Sequence, residues 1–219
     1  MPDQEFLKII AAQLRKPSGE LGNEVAEKMN ESNREMNLAT INSLEIKDGE
    51  SILEIGMGNG FFVKHILSKA ERLHYIGCDY SEDMVTLSTK LNQQLINSGE
   101  ASFLHADAHN LPIENQSIDH LFTINTLYFW ENIEVILKEF KRVLKSNATL
   151  CITIRPESCL KQYPSTQYNF NYYSIDSILD SLLKNGFNVT DIIEQKEPEV
   201  EVLEKKIIPE FIIFIAQNY

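Results

Sequence analysis

The segment Leu53-Glu54-Ile55-Gly56-Met57-Gly58-Asn59-Gly60 sets three glycines at alternate positions behind a carboxylate. Glycines so spaced allow positive φ and let a ligand approach the backbone closely. The start of a following helix would add free N–H donors. A dinucleotide fingerprint of the form G-x-G-x-x-G needs a third glycine for close helix–strand packing, and Phe61 stands there. The loop is therefore open to a ligand lacking a pyrophosphate, or to an ordinary tight turn. Asp79 follows Gly60 by 19 residues and ends an apolar run. A carboxylate there either accepts both hydroxyls of a ribose or caps the next helix, in competition with Ser81. Further on, Asp107-Ala108 offers a carboxylate for an exocyclic adenine amine and an N–H for a ring nitrogen. Asn125-Thr126 closes a fourth apolar run.

These groups need a frame that brings them together. Apolar runs begin at 51, 74, 101, 118 and 148, and segments of helical length and period fill 60–69, 82–97 and 132–144. Alternation of this kind implies crossovers and a parallel sheet buried on both faces. Ser174 to Lys184 reads as a helix with a Ser cap and an Asn185-Gly186 stop. The β-type runs 188–193 and 210–217 follow with no helix between them, so one of them runs antiparallel. The expected fold is α/β, a doubly wound, Rossmann-like sheet of seven strands, mostly parallel with the last strand antiparallel. Residues 1–45 read as an N-terminal helical extension or cap, broken at Pro17-Ser18-Gly19, and 46–219 as the core domain. In such a sheet ligands bind beyond the carboxyl ends of the strands, where Glu54 to Gly60, Asp79, Asp107 and Asn125 all fall.

The chain has 219 residues, 43% hydrophobic and 24% charged, enough for one sizeable core. Its formal charge of −12, with no basic run longer than a pair, argues against nucleic acid and anionic membranes as partners. Cys78, Cys151 and Cys159 show no Cys-x-x-Cys spacing, which fits neither a disulfide framework nor a metal site. The beginning MPDQEFLKII carries Asp3 and Glu5 where a secretory signal would be positive, and no apolar run approaches a membrane span. A cytoplasmic protein, monomeric or homodimeric, is expected.

The combination resembles the class I S-adenosylmethionine-dependent methyltransferases, of the small-molecule type that includes the ubiquinone and menaquinone methyltransferases. LEIGMGNG resembles the first motif of that family, CDYSEDM its acidic second-strand motif, and ADAHNLPIENQSIDHLFTINTLYFW the passage through its fourth strand. FKRVLKSNATLCI and YYSIDSILDSLLKNGF resemble later passages, so the likeness runs over about 50–217. It implies S-adenosyl-L-methionine as cofactor. Gly56, Gly58 and Gly60 would cradle its methionyl part, with Glu54 shaping the loop. Asp79 would hold the ribose, Tyr80 and Met84 would flank the adenine, Asp107 and Ala108 would read its edge, and Asn125 would help hold the amino-acid end. Two departures stand out. The Pro-Gly-Gly turn before strand five is Ser146-Asn147-Ala148, where Asn147 can adopt the left-handed conformation. The Asn-Pro-Pro-aromatic signature of amide and adenine-nitrogen methylation is Asn125-Thr126-Leu127-Tyr128, without its prolines.

The implied activity is in-line methyl transfer to a small-molecule acceptor. The alternatives are a non-catalytic protein that binds the cofactor and a protein methyltransferase. A sulfonium brings its own reactivity, so alignment and exclusion of water suffice, with a base only for a hydroxyl or carbon acceptor. His109 and Tyr128 are the candidate catalytic residues. His109 is either a base or an exposed loop histidine, and Tyr128 and Trp130 either wall the acceptor pocket or pack in the core. The tyrosine-rich loop Pro156–Tyr173 either lines a pocket for a flat or apolar acceptor or is merely anchored by its rings. Met29, Met36 and Asn37 belong to a lid or to an amphipathic packing face. The acidic stretch Glu194–Glu204 reads as a solvated connection.

Overall fold

The structure, a computed structural model, describes residues 3–202 and 205–219. Seven strands form one sheet in the order β3-β2-β1-β4-β5-β9-β6. They are β1 (Ser51–Ile55), β2 (His74–Asp79), β3 (Ala101–His105), β4 (Ile118–Ile124), β5 (Leu144–Ile154), β6 (Phe187–Lys196) and β9 (Glu210–Asn218). The pairs among β1 to β5 are parallel, and β9 lies antiparallel between β5 and β6. The strand order reverses between β1 and β4, which leaves a crevice at their carboxyl ends.

Helices cover both faces. On one, α7 (Ile133–Val143) and α9 (Ile175–Lys184) bury Leu137, Phe140, Ile178 and Leu182 against Leu121, Leu150 and Phe214. On the other, α3 (Arg34–Ser43) and α4 (Val63–Leu67) bury Met36, Ile41, Val63 and Ile66 against Ile52, Phe122 and Phe211. Each such Leu, Ile or Phe contributes roughly 1.5–3 kcal/mol by leaving water. Pro17 separates α1 (Gln4–Arg15) from α2 (Gly19–Ser32), as its missing N–H and fixed φ require. A buried bond between the Thr40 and Thr153 hydroxyls, 2.7 Å long, fastens α3 to the end of β5.

Several elements depart from the sequence expectation. The helix expected over 60–69 is confined to Val63–Leu67, because Gly60 is held in a turn. The helix expected over 82–97 divides into α5 (Glu82–Leu91) and α6 (Gln93–Asn97). At the break Asn92 is buried, and its Nδ2 donates to the Gly60 and Ser88 carbonyls. Strand β5 begins at Leu144, ahead of the expected position, and Asn147 within it takes φ +62°. A short helix, α8 (Glu157–Leu160), follows β5. The acidic stretch is not simply solvated. It contains the end of β6 and β7 (Val200–Val202), which forms a hairpin with β8 (Lys205–Ile207) just beyond the stretch. Leu203 and Glu204 lie outside the described residues, as do Met1 and Pro2. Glu197 is buried there against Arg155, since a cation at the end of a core strand needs a buried counter-charge.

Candidate functional site

The loop after β1 is shaped by its glycines, which do different work. Gly58 has φ +58°, and a Cβ added there would meet no atom within 4 Å, so it faces open space. Gly60 has φ +68°, and its Cβ would lie 2.9 Å from both Ser88 Cβ and Asn92 Nδ2. It lets the loop pack on α5. At Gly56 a Cβ would collide with Thr126 Cγ2 at 2.3 Å, so the ends of β1 and β4 are in contact.

Asp79 ties the second strand to this loop. Its Oδ2 accepts from the Gly58 N–H at 2.9 Å and its Oδ1 from the Ser81 N–H at 2.8 Å. Ser81 itself caps α5 by accepting from Met84 N, which leaves the carboxylate of Asp79 for the crevice. Burial pushes the Asp79 carboxyl up to about 6 despite these donors. Glu54 sits beneath the loop, buried, and accepts from the Tyr75 hydroxyl at 2.5 Å. Burial raises it to about 7, with the Tyr75 bond opposing and the charge of Asp79 adding to the rise. Asp107 is half exposed, and its Oδ1 accepts from the His109 N–H at 2.9 Å and meets His109 Nδ1 at 2.6 Å. Partial burial lifts its carboxyl, but the His109 bonds outweigh this and hold it below the usual range. Asn125 has φ +57°, and its Nδ2 donates to Asn33 Oδ1 at 3.3 Å.

A cavity of about 550 Å³ opens at these strand ends. Glu54, Gly56, Gly58, Asp79, Tyr80, Asp107, Ala108, His109 and Asn125 line it, as does Trp130, which also packs edge-on against Phe140. Gly60 and Met84 do not line it; Met84 is fully buried in α5. The N-terminal helices supply the opposite side through Leu14, Met29, Asn33 and Asn37, whereas Met36 lies in the core. Tyr128 lines a second, adjoining cavity of about 160 Å³, together with Tyr163 and Phe170 of the aromatic loop. Its hydroxyl donates to Asn125 Oδ1 at 3.0 Å and bonds both backbone groups of Arg155, and burial raises its pKa strongly. Tyr172 and Tyr173 serve as anchors: Tyr172 donates to the Thr166 carbonyl and Tyr173 to that of Trp130.

Three contributors escaped the sequence reading. Asn59 Oδ1, in the glycine loop lining the larger cavity, is buried without a hydrogen-bond partner. Asn33 bridges the cap to the sheet by accepting from Asn125 and Arg155. Arg155 follows the last residue of β5 directly, so the strand-end rule that located Asp79 and Asn125 applied to it equally. Asn33 gave no such signal, because its role arises from a long-range contact.

Residues 53–152 match the family model described as "Methyltransferase domain". A relative in Bacillus subtilis, described as an uncharacterized methyltransferase, is 28% identical over 57% of this chain and 66% of its own length. The chain thus spans about two thirds of the curated relatives that it matches. Among solved structures, a Haloferax volcanii methyltransferase candidate in complex with the Trm112 methyltransferase activator superposes with TM-score 0.76 at 13% identity, over 100% of this chain and 99% of that one. The geranyl diphosphate C-methyltransferase of Streptomyces coelicolor, solved with S-adenosyl-L-homocysteine, gives TM-score 0.71 at 10% identity over the whole of both chains. At such identities the structures speak for the fold alone. Residues 53–152 thus match a methyltransferase domain, the relatives are named as methyltransferases, and the fold is the one seen in these methyltransferase structures.

Proposed function

We infer that the chain binds S-adenosyl-L-methionine in the larger cavity and transfers its methyl group to a small-molecule acceptor. The observation that carries this reading is the convergence of Gly58, Asp79, Asp107 and Asn125, from four strand ends, on one cavity. The residues fit the cofactor. Gly58 leaves room for close approach, and the unpaired Asn59 Oδ1 is an acceptor suited to an ammonium group. Asp79 is fixed by two backbone donors and keeps lone pairs for ribose hydroxyls. Asp107, with one oxygen engaged by His109, keeps the other for an exocyclic amine, and Ala108 follows it along the wall.

When bound, the cofactor supplies an electrophilic methyl on a sulfonium. The protein supplies placement. The cap helices α1 to α3 close the side facing the strand ends, which excludes water and fixes the approach of the acceptor. His109, oriented by Asp107, is a base within the larger cavity for acceptors that reach it. The test is incubation with methyl-tritiated cofactor and pooled small hydroxyl, thiol and amine compounds. Tritium is expected in a low-molecular-weight product. Tritium only in protein, or none transferred from any pool, contradicts the reading.

A further inference from the structure

The smaller cavity has a lining that selects among acceptors. Its volume of about 160 Å³ is close to the ~150 Å³ of an apolar cavity that takes up one benzene molecule. Leu14, Met29 and Leu160 give it aliphatic walls. Phe170 lies near-parallel to Tyr128 at 5.6 Å, and Phe129 meets Phe170 edge-on at 4.7 Å. The polar groups form one connected patch. Asn33 Oδ1 accepts from Asn125 Nδ2 and from the Arg155 guanidinium, both at 3.3 Å, and Tyr128 donates to Asn125. Asn33 and Asn125 line both cavities, so this patch stands where the two adjoin.

Charge and protons narrow the chemistry. Among the described residues, no carboxylate and no imidazole lines the smaller cavity. Glu197, outside this lining, is bonded to Arg155 and balances its charge. An alcohol or ammonium acceptor would need a base that this lining lacks. An ammonium would also find no carboxylate in this lining to pair with. An acidic hydroxyl needs neither, because it gives its proton to water and arrives as an anion. The guanidinium and a carboxamide N–H are suited to such an oxygen.

We propose that the smaller cavity is the acceptor subsite for a single-ring compound with an acidic hydroxyl, a phenol or enol, bound as its oxyanion beside Arg155 and Asn125. This rests on the methyl-transfer reading above. In the transfer the oxygen lone pair forms the O–CH3 bond as the S–CH3 bond breaks. The negative charge of the oxyanion and the positive charge of the sulfonium cancel, leaving a neutral ether and a neutral thioether.

The probe is 4-nitrophenol, whose anion is yellow, titrated into protein saturated with S-adenosylhomocysteine and followed by calorimetry and by absorbance against pH. Binding is expected, with the bound probe ionising about one pH unit or more below the free compound, because hydrogen bonds from the guanidinium and the carboxamide favour the oxyanion. Benzylamine, a similar ring with an ammonium, is expected to bind at least about tenfold more weakly. Ser165 lines the smaller cavity and not the larger, so Ser165→Trp, which fills it, should cost at least about tenfold in nitrophenol affinity while leaving S-adenosylhomocysteine affinity unchanged. Arg155→Met with Glu197→Met removes both buried charges together and should abolish the shift in ionisation. Unshifted ionisation, benzylamine binding as well as nitrophenol, or a Ser165→Trp protein that still binds the probe would each overturn the assignment. S-adenosylhomocysteine binding without nitrophenol binding overturns the acceptor subsite alone. A protein that binds neither overturns the methyl-transfer reading and this one with it.

Discussion

Glu54 and the loop glycines show how single residues divide between holding the site and forming it. Glu54 is ionised only at a cost, because burial raises it from 4.5 to about 7. The native state therefore holds its proton more tightly than the unfolded state between those values, and stability falls as pH rises through that window. The cost is fully present above pH 7. Glu54→Gln keeps an acceptor for Tyr75 and removes the charge. It is expected to raise stability at pH 7.5 by up to about 3 kcal/mol and to flatten the slope between pH 4.5 and 7. Urea denaturation across that range checks this, and an unchanged slope would refute it. Gly58 and Gly60 are expected to part company. Gly58→Val should abolish cofactor binding in a protein that still folds, though less stable for its positive φ, since its side chain would enter the cavity. Gly60→Ala should instead lower stability, by roughly 1–3 kcal/mol, through overpacking against Ser88 and Asn92. The sequence alone treats the two as one motif; only the helix packed behind Gly60 separates them. Met84 and Tyr128 teach the same lesson, because residues near a site in sequence are turned toward or away from it by packing.

At the level of elements, the parallel strands and their helices were legible because hydrophobic period and length are local properties. So was the antiparallel entry of the last strand, which follows from two strands without a crossover between them. The hairpin of β7 and β8 and the burial of Glu197 were not legible. Acidic composition describes the average fate of such a stretch, whereas the burial of one carboxylate depends on where Arg155 emerges from β5. This gives an expectation at the same scale. Glu197→Ala leaves a buried guanidinium without its counter-charge and should cost about 3–5 kcal/mol, read by denaturant unfolding. A cost below about 1 kcal/mol would show the stretch to be a solvated connection after all.

For the whole molecule, the cap and the sheet make one site between them. The cap helices contribute Met29, Asn33 and Asn37 to the larger cavity, and the sheet contributes its strand ends. Asn33 touches both Asn125 and Arg155, so the cap is registered on the same strands that would hold the cofactor. A formal charge of −12 favours acceptors other than nucleic acid. Among the described residues no helix is long and apolar enough to cross a membrane. On the proposed function, Asp79 and the glycine loop would bind an adenosyl sulfur compound. Calorimetric titration of the protein and of Asp79→Ala with S-adenosylhomocysteine, with NAD in parallel, tests it most directly. Micromolar binding to the protein is expected, with a loss of roughly 1.5–3 kcal/mol in the variant and silence from NAD. Equal affinity in a folded Asp79→Ala, or NAD binding without S-adenosylhomocysteine binding, would contradict it.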